Sequence, residues 1–427
     1  MTEIRAFRAL RYDPARVDLG RVVVPPYDVI AADERAVYWD RDPHNAIRLE
    51  LTRDAADEAS TDYREVAQAL AAWQQEGALV RDARPAVYAL RQRFPAPDGS
   101  EHVRDGFFAL LHLEDYERRI VRPHERTLSG PKADRLKLFR ATGANLSSVF
   151  LLYEDPERTL NELLAASLDA GPAAVARDAA GVEHRLVPVE DADAIDRVVR
   201  FLAERPVVIA DGHHRYETAL QYRDEQRAKA DTDVADAPYE FTLAYFANAY
   251  APGTLLLPIH RVVREVPAPD DAAWTARLPR WSQQRVALPG ADAVPALLER
   301  HLAPLADRHA FAADDGSGVL RIFSRTRAVG DDLSIRVLHA EVLQGVFGLG
   351  DAAVRDGAVA FPKHAPEAAR EVRGGRGRVA LYLNPLVAED VFRVTAAGEI
   401  LPQKSTFFHP KLPSGLVFRQ LDGRDFA

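Results

Sequence analysis

The stretch PVVIADGHHRYETA, residues 206–219, contains the two patterns from which the fold is predicted. Its first part, Pro206 to Ala210, is a short apolar run rich in β-branched residues, which is typical of a buried strand. From Asp211 to about Arg227 the sequence has helical character and begins with an Asp-Gly pair. The stretch therefore predicts a strand that delivers polar residues to the beginning of a helix.

Strand and helix patterns alternate on both sides of this stretch, which predicts an α+β fold with a mixed sheet and flanking helices. A Pro-Asp-Gly turn between two β-rich segments predicts a hairpin. The predicted strands are Arg5 to Tyr12, Arg21 to Val24, Ala86 to Phe94, Glu101 to Leu111, Val149 to Tyr153, Phe241 to Tyr250, Leu255 to Val263 and His309 to Ala313. The predicted helices are one from about Ala31, then Thr61 to Glu76, Ala133 to Ala141, Pro156 to Leu168, Ile195 to Glu204 and Ala293 to Leu302.

The length of 427 residues is enough for two or three domains. We expect an α+β core over residues 1–264, a second α/β domain over 265–375, and a C-terminal β segment over 376–427 that returns to the core. Two polar segments interrupt the pattern, namely Arg122 to Asp134, which is expected to be a loop, and Ala228 to Ala237, which has no apolar face and is expected to be mobile.

Composition excludes several classes of function. The net charge is -9 and no Lys/Arg block occurs, so nucleic acid is not an expected partner. Cysteine is absent, which excludes disulfides, thiolate nucleophiles, Fe–S clusters and cysteine zinc sites. No signal-peptide core and no apolar run of about 18 residues is present, so we expect a cytoplasmic protein without a membrane partner.

The residues after the predicted strand have the chemistry of an anion site. A helix N-terminus presents unpaired N–H groups, and Gly212 lets a ligand approach the backbone closely. Asp211 can cap the helix or hold a cation, whereas His213, His214 and Arg215 can donate to phosphate oxygens. The alternative is a capped helix with partly buried histidines.

The segment PHERTLSGPKADR, residues 123–135, is the second candidate, because Gly and Pro restrict the backbone around many polar groups. A solvated surface loop is the alternative. The cationic candidates for phosphate are Arg126, Lys132 and Arg135, the hydroxyl candidates are Thr127 and Ser129, and Glu125 is the candidate base or metal carboxylate, a role that His124 could share.

A third group lies near the C-terminus in the segment PQKSTFFHPK, residues 402–411. Its cations and hydroxyls again suit an anion, while Phe407 and Phe408 are expected to be core anchors, and a packed hairpin is the alternative. The candidate residues there are Lys404, Ser405, Thr406 and Lys411. Near the N-terminus, Asp28 follows two prolines and could hold a metal or form part of a rigid turn.

Four ordered motifs, PPYDVI at Pro25 to Ile30 and the three segments above, resemble the domain of unknown function family 1015 along essentially the whole chain. The stretch IADGHHRYETA, Ile209 to Ala219, is also similar to the phosphate-binding motif of the ParB and sulfiredoxin superfamily, which includes CTP-binding switches and free serine kinases. This second resemblance implies a nucleotide-binding core. It places Gly212, His213, His214 and Arg215 on nucleotide phosphates, with Glu217 or Glu125 activating a substrate hydroxyl.

The first functional hypothesis is therefore a kinase that moves phosphate from ATP or ADP to a small hydroxyl compound, with free serine as one candidate. Mg²⁺ would bridge the phosphates, and its candidate carboxylates are Asp28, Asp211 and Glu125. The alternatives are a metal-dependent hydrolase or phosphatase, with a transition metal on the histidines, and a nucleotide-binding regulatory protein. The sequence leaves open whether the chain forms a homodimer.

Overall fold

The computed structural model describes residues 1–53, 61–125, 129–230, 236–328, 330–402 and 404–426. The chain forms two compact units, of which the first comprises Met1–Leu255, Thr395–Ile400 and Phe408–Ala427 and the second Leu256–Val394 and Leu401–Phe407. The second unit contains the expected range 265–375 and extends beyond it. Within the described ranges no helix has an apolar stretch long enough to cross a bilayer.

In the described part of the first unit the chain forms a nine-stranded mixed sheet. The pairings of Val207 with Val121 and of Ala244 with Val149 are parallel, and the other pairings are antiparallel. From one edge the order is Val121–Arg122, Val207–Asp211, Val149–Tyr153, Phe241–Asn248, Glu101–His112, Val87–Pro95, Glu183–Val189 and Ala174–Arg177, with Ile4–Arg5 beside Glu101–His112. The predicted mixed sheet with flanking helices is confirmed.

Amphipathic helices provide the other half of this core. Leu164 and Val198, from two of them, lie in one buried cluster with Phe107 and Ile209 of the sheet. On each of these helices, apolar side chains at helical spacing form a stripe that faces the core. The helices of the first unit are Leu19–Val22, Arg35–Arg41, Ile47–Glu50, Arg64–Gln75, Ser129–Thr142, Thr159–Ala170, Ala192–Ala203 and His213–Arg227.

The last segment of the chain belongs to the first unit. Strand Arg419–Gln420 pairs with Ala144–Asn145, and Leu10–Tyr12 pairs with Leu79–Arg81. The Arg419 side chain is fully buried, with Nε donating to Asp425 over 2.7 Å and Nη2 to the carbonyl oxygen of Pro238 over 2.8 Å. These contacts anchor the C-terminal segment and thereby position the residues that precede it.

The second unit contains a six-stranded sheet of its own within the described residues. In order, its strands are Ser282–Ala287, Val319–Arg325, His309–Asp314, Val379–Leu383, Arg261–Val263 and Val359–Ala360. Its helices are Asp271–Arg277, Val294–His301, Ser334–Val337, Asp351–Arg355 and Ala365–Arg373. Helix Ala388–Ala396 and strands Leu255–Leu257 and Phe407–His409 lie where the chain passes between units.

Several local predictions are wrong. Arg5–Tyr12 was expected to be one strand, but the structure has two strands, Ile4–Arg5 and Leu10–Tyr12, in different sheets. Arg21–Val24 was expected to be a strand, but Leu19–Val22 is a helix whose N-cap, Asp18, accepts a hydrogen bond from the Gly20 N–H. The segment 122–134 was expected to be a loop, but a helix begins at Ser129. Pro131 is compatible with this helix because a first-turn N–H has no partner within the helix.

Candidate functional site

The site is built at the junction of strand Val207–Asp211 and helix His213–Arg227, called here the motif helix. Gly212 joins them with a φ of 89°, in the left-handed region that glycine adopts at no steric cost. A Cβ atom at this position would lie 2.9 Å from Nε of Arg215. Glycine is therefore required both for the backbone turn and for the position of the arginine.

Asp211 holds a cation on each of its carboxylate oxygens. Its Oδ2 lies 2.7 Å from Nη2 of Arg215, and its Oδ1 forms an ion pair with Nζ of Lys411. Burial alone would raise the pKa of Asp211, but the Lys411 ammonium and the Arg215 guanidinium outweigh it and hold that pKa well below its usual range. The aspartate is therefore ionised, and it fixes both cations at the beginning of the motif helix.

The Arg215 guanidinium has capacity for a further acceptor. Its Nη1 donates to the carbonyl oxygen of Ser148, whereas its buried Nε has no hydrogen-bond partner among the residues that the structure describes. Burial opposes the charged form, yet Asp211 and Asp28 raise the pKa of Arg215 above its ordinary value. Arg215 therefore remains charged.

Two buried imidazoles, those of His124 and His213, lie against each other with ring centroids 4.7 Å apart. His124 Nδ1 donates to the carbonyl oxygen of Ile209 over 2.5 Å, and the His124 N–H donates to Nε2 of His213 over 3.3 Å. Burial lowers the pKa of both rings. His213 is therefore neutral and carries its proton on Nδ1.

That Nδ1 lies 3.7 Å from Oε1 of Glu125, whose side chain is partly exposed. His214, the next residue of the motif helix, is half-buried, and burial lowers its pKa while the carboxylates of Glu217, Asp28 and Glu125 raise it. The predicted carboxylates Asp28 and Glu125 are thus within electrostatic range of the same imidazole. Their partial exposure leaves them accessible from solvent.

Lys132 and Glu217 form an ion pair between helix Ser129–Thr142 and the motif helix. The pair lies in the wall of a cleft of about 830 Å³. The other residues that line this cleft are Asp115, Tyr116, Glu117, Ala133, Leu136, Lys137, Arg140, Leu220, Gln221 and Asp224. Charges of both signs therefore face a space large enough for a small metabolite.

Arg135 is held by protein groups rather than directed to a ligand. Its Nη1 donates to the carbonyl oxygen of Glu50 over 2.9 Å, and its Nη2 lies 2.6 Å from Oδ2 of Asp134. The guanidinium also lies 4.3 Å from the ring centre of Tyr27. We assign Arg135 a structural role, in which it links the Pro25–Ile30 motif to the helix.

The remaining predicted site residues either belong to the second unit or are not described. Lys404, Ser405 and Thr406 belong to the second unit. Arg126 and Thr127 lie outside the described residues, as does the Ser129 side chain. In the part of the chain that the structure describes, no group of three or more His, Asp or Glu side chains is arranged to hold a metal ion.

Sequence reasoning missed several residues that support the site. The Ser148 carbonyl oxygen accepts from Arg215, and buried Glu50 accepts a hydrogen bond of 2.7 Å from the Ser414 hydroxyl. A carbonyl group carries no signal in the sequence. Glu50 did carry a signal in the sequence. Its carboxylate follows the apolar residues Ile47 and Leu49, and a carboxylate in such a position is buried only when it is paired.

Comparison with known proteins gave one family match. A family model described as "Protein of unknown function (DUF1015)" matches residues 4–322. No curated protein matches the sequence.

The solved structures that match this chain do so at low identity and low TM-score. A conserved hypothetical protein from Pyrococcus furiosus has 10% identity and a TM-score of 0.33, covering 74% of this chain and 96% of its own. A free serine kinase mutant in complex with AMP has 11% identity and a TM-score of 0.35, with 72% and 92% covered. SbnI with a C-terminal truncation, from Staphylococcus aureus, has 10% identity and a TM-score of 0.33, with 72% and 87% covered. Similarity at this level carries no conclusion about activity.

Proposed function

The chain belongs to the DUF1015 family, whose description names no activity, and we propose that it is a phosphotransferase acting on small molecules. It would move a phosphoryl group from ATP or ADP to a small metabolite that carries a hydroxyl group, and free serine is the first acceptor to test. The proposal rests on the site geometry, and above all on the two cations that Asp211 holds at the beginning of the motif helix.

Phosphoryl transfer depends mainly on positioning and on positive charge around the transferred group. Arg215 and Lys411 come from distant parts of the sequence and meet on Asp211. The first N–H groups of the motif helix lie beside them and have no partner within the helix. A nucleotide phosphate at this position would meet fixed donors, including Nε of Arg215.

The acceptor hydroxyl needs a base, and Glu125 is the better of the two predicted candidates. Glu217 is engaged by Lys132, whereas Glu125 is partly exposed and faces Nδ1–H of His213 at 3.7 Å. A neutral histidine in this position orients the carboxylate without removing its charge. Glu125 would accept the hydroxyl proton of the acceptor.

Mg²⁺ fits this donor set as a partner of the nucleotide. The ion is usually held by one or two carboxylates together with substrate phosphates. Asp211 is engaged by cations and Glu125 would act as the base, so Asp28 is the carboxylate that would hold the ion. The bound ion would neutralise part of the phosphate charge.

The test is to incubate the purified chain with ATP or ADP, Mg²⁺ and a panel of hydroxy amino acids, and to follow phosphorus NMR. We expect a new phosphomonoester. Replacing Arg215 with Ala should weaken nucleotide binding by about 1.5–3 kcal/mol, the value of a charge-assisted hydrogen bond.

The matched control is Arg200→Ala, which removes an exposed arginine paired with Asp196 on another helix of the same unit. It should leave turnover and binding unchanged. Failure of the folded chain to phosphorylate any acceptor would refute the kinase proposal, and tight nucleotide binding without product would favour a regulatory role instead.

A further inference from the structure

The second unit has a small cavity of about 30 Å³ that three arginines line, from separate segments of the unit. The polar residues in its lining include Arg261, Arg308, Arg327, Ser334, Asn384 and Ser405. Asp390 also lines the cavity, and its Oδ1 is engaged by Nη2 of Arg393 over 2.8 Å. The lining is therefore rich in hydrogen-bond donors and positive charge.

Arg261 is the central residue because it is only 1% exposed. Its Nη1 donates to the carbonyl oxygen of Ile259, and its Nη2 lies 3.5 Å from Nε2 of His339. Its Nε has no hydrogen-bond partner in the part of the chain that the structure describes. A buried charge without a counter-charge is costly, so this residue needs an explanation.

Among the residues that the structure describes, no carboxylate offsets the effect of burial on the pKa of Arg261. Burial lowers the pKa of Arg261 to about 9, and burial followed by the Arg261 charge lowers the pKa of His339 to about 3. The Phe361 ring centre lies 5.4 Å from the guanidinium and gives it a weak cation–π contact. Neutral and apolar neighbours thus surround a charged guanidinium.

The other two arginines strengthen the positive character of the cavity. Arg308 has a buried Nε that also finds no acceptor among the described residues. Arg327 donates from Nη2 to the Ala306 carbonyl oxygen over 3.2 Å and to the Ser334 hydroxyl over 2.9 Å. Ser334 in turn contacts Nδ1 of His309 over 3.0 Å, which fixes its hydroxyl.

We propose that this cavity binds a phosphoryl group, either free phosphate or the phosphate of a larger molecule, through Arg261, Arg308 and Arg327. The volume is far below that of pockets that enclose a drug-sized ligand, so only a small group can enter it. Ser405 of the C-terminal Lys-Ser-Thr segment lines this cavity, which gives that segment a role in the second unit. The proposal does not depend on the phosphotransferase activity of the first unit.

The experiment is calorimetric titration of inorganic phosphate into the full chain that carries Arg215→Ala, which removes the arginine of the first site. We expect saturable binding in this background. Adding Arg308→Ala should weaken it by about tenfold or more, equivalent to about 1.4 kcal/mol. Arg327→Ala, at an exposed residue, provides a second test if Arg308→Ala does not fold.

The matched control is Arg280→Ala, because Arg280 lies in the same unit, is exposed and pairs with Glu341. It should leave phosphate affinity unchanged. Competition by AMP would identify a nucleotide phosphate as the ligand, and binding of phosphate alone would identify the free anion. Absence of saturable phosphate binding, or equal losses in the Arg308→Ala, Arg327→Ala and Arg280→Ala variants, would overturn the proposal.

Discussion

Replacing Asp211 with Asn should destabilise the first unit by about 3–5 kcal/mol, the usual cost of removing one partner of a buried ion pair. The amide keeps the size of the side chain but removes its charge. Arg215 and Lys411 would then face each other with side chains only 11% and 20% exposed and no counter-charge between them. A phosphate-bearing ligand would supply that charge, so ADP should stabilise the variant more than the unchanged chain.

The loss of stability in the Asp211→Asn variant depends on pH in a direction that can be stated. The pKa of Asp211 is depressed in the folded state, so its stabilisation is complete above the unfolded pKa of about 3.9 and is lost as pH falls below that value. The difference in the free energy of unfolding between the variant and the unchanged chain should therefore be the same at about pH 6 and about pH 8. It should shrink only in strong acid.

The assay is urea denaturation followed by tryptophan fluorescence. The chain has four tryptophans, of which Trp39 and Trp73 lie in the first unit. The substitutions Trp274→Phe and Trp281→Phe would leave these two as reporters. Asp196→Asn, in an exposed pair, is the matched control and should cost less than about 1 kcal/mol. A loss in Asp211→Asn no larger than in this control would refute the reasoning.

Three further predictions concern the same junction. Gly212→Ala should lower the free energy of unfolding by about 1–3 kcal/mol, because the φ of 89° is strained for alanine and the new Cβ atom would meet the Arg215 side chain. An unchanged midpoint of urea denaturation would contradict this prediction. Lys132→Ala should lower kcat by about tenfold or more with little change in the KM of the nucleotide, if the ammonium acts on charge that develops in the transition state. His213 is buried, and its pKa in the folded chain lies well below the ordinary value, so the folded state becomes less stable as pH drops below about 6.5. This one group should lower the free energy of unfolding by up to about 1.4 kcal/mol per pH unit. His213→Asn should flatten that slope, and an unaltered slope would show that other groups cause it.

The elements with strong local patterns could be predicted from the sequence. Val149–Tyr153 and Val207–Asp211 are apolar runs that only a buried strand explains, and both strands were placed correctly to within a residue. The helix after Asp211 was also predicted to its end at Arg227. Leu19–Val22 was not, because four residues are too few to distinguish a helical turn from a strand.

The site was predictable as a set of residue types but not as an arrangement. The sequence identified Asp211, Arg215 and Lys411 as polar groups, but the ion pair of Asp211 and Lys411 joins residues far apart in the chain. Arg135 is the opposite case. The sequence predicts a cation for phosphate, whereas in the structure its guanidinium is buried among hydrogen-bond acceptors of the protein. Nothing in the sequence indicated that Arg261 is buried, because an arginine at the beginning of a short strand is ordinarily exposed.

The first unit is discontinuous in sequence, and this has a consequence for protein synthesis. A ribosome completes the second unit before it makes Lys411, and Arg419 follows later still. Until then Asp211 is paired with Arg215 alone, and the second cation of the junction is missing. Activity at this junction would therefore begin only after Lys411 has been translated, and a chain that terminates before Lys411 would be inactive from the outset.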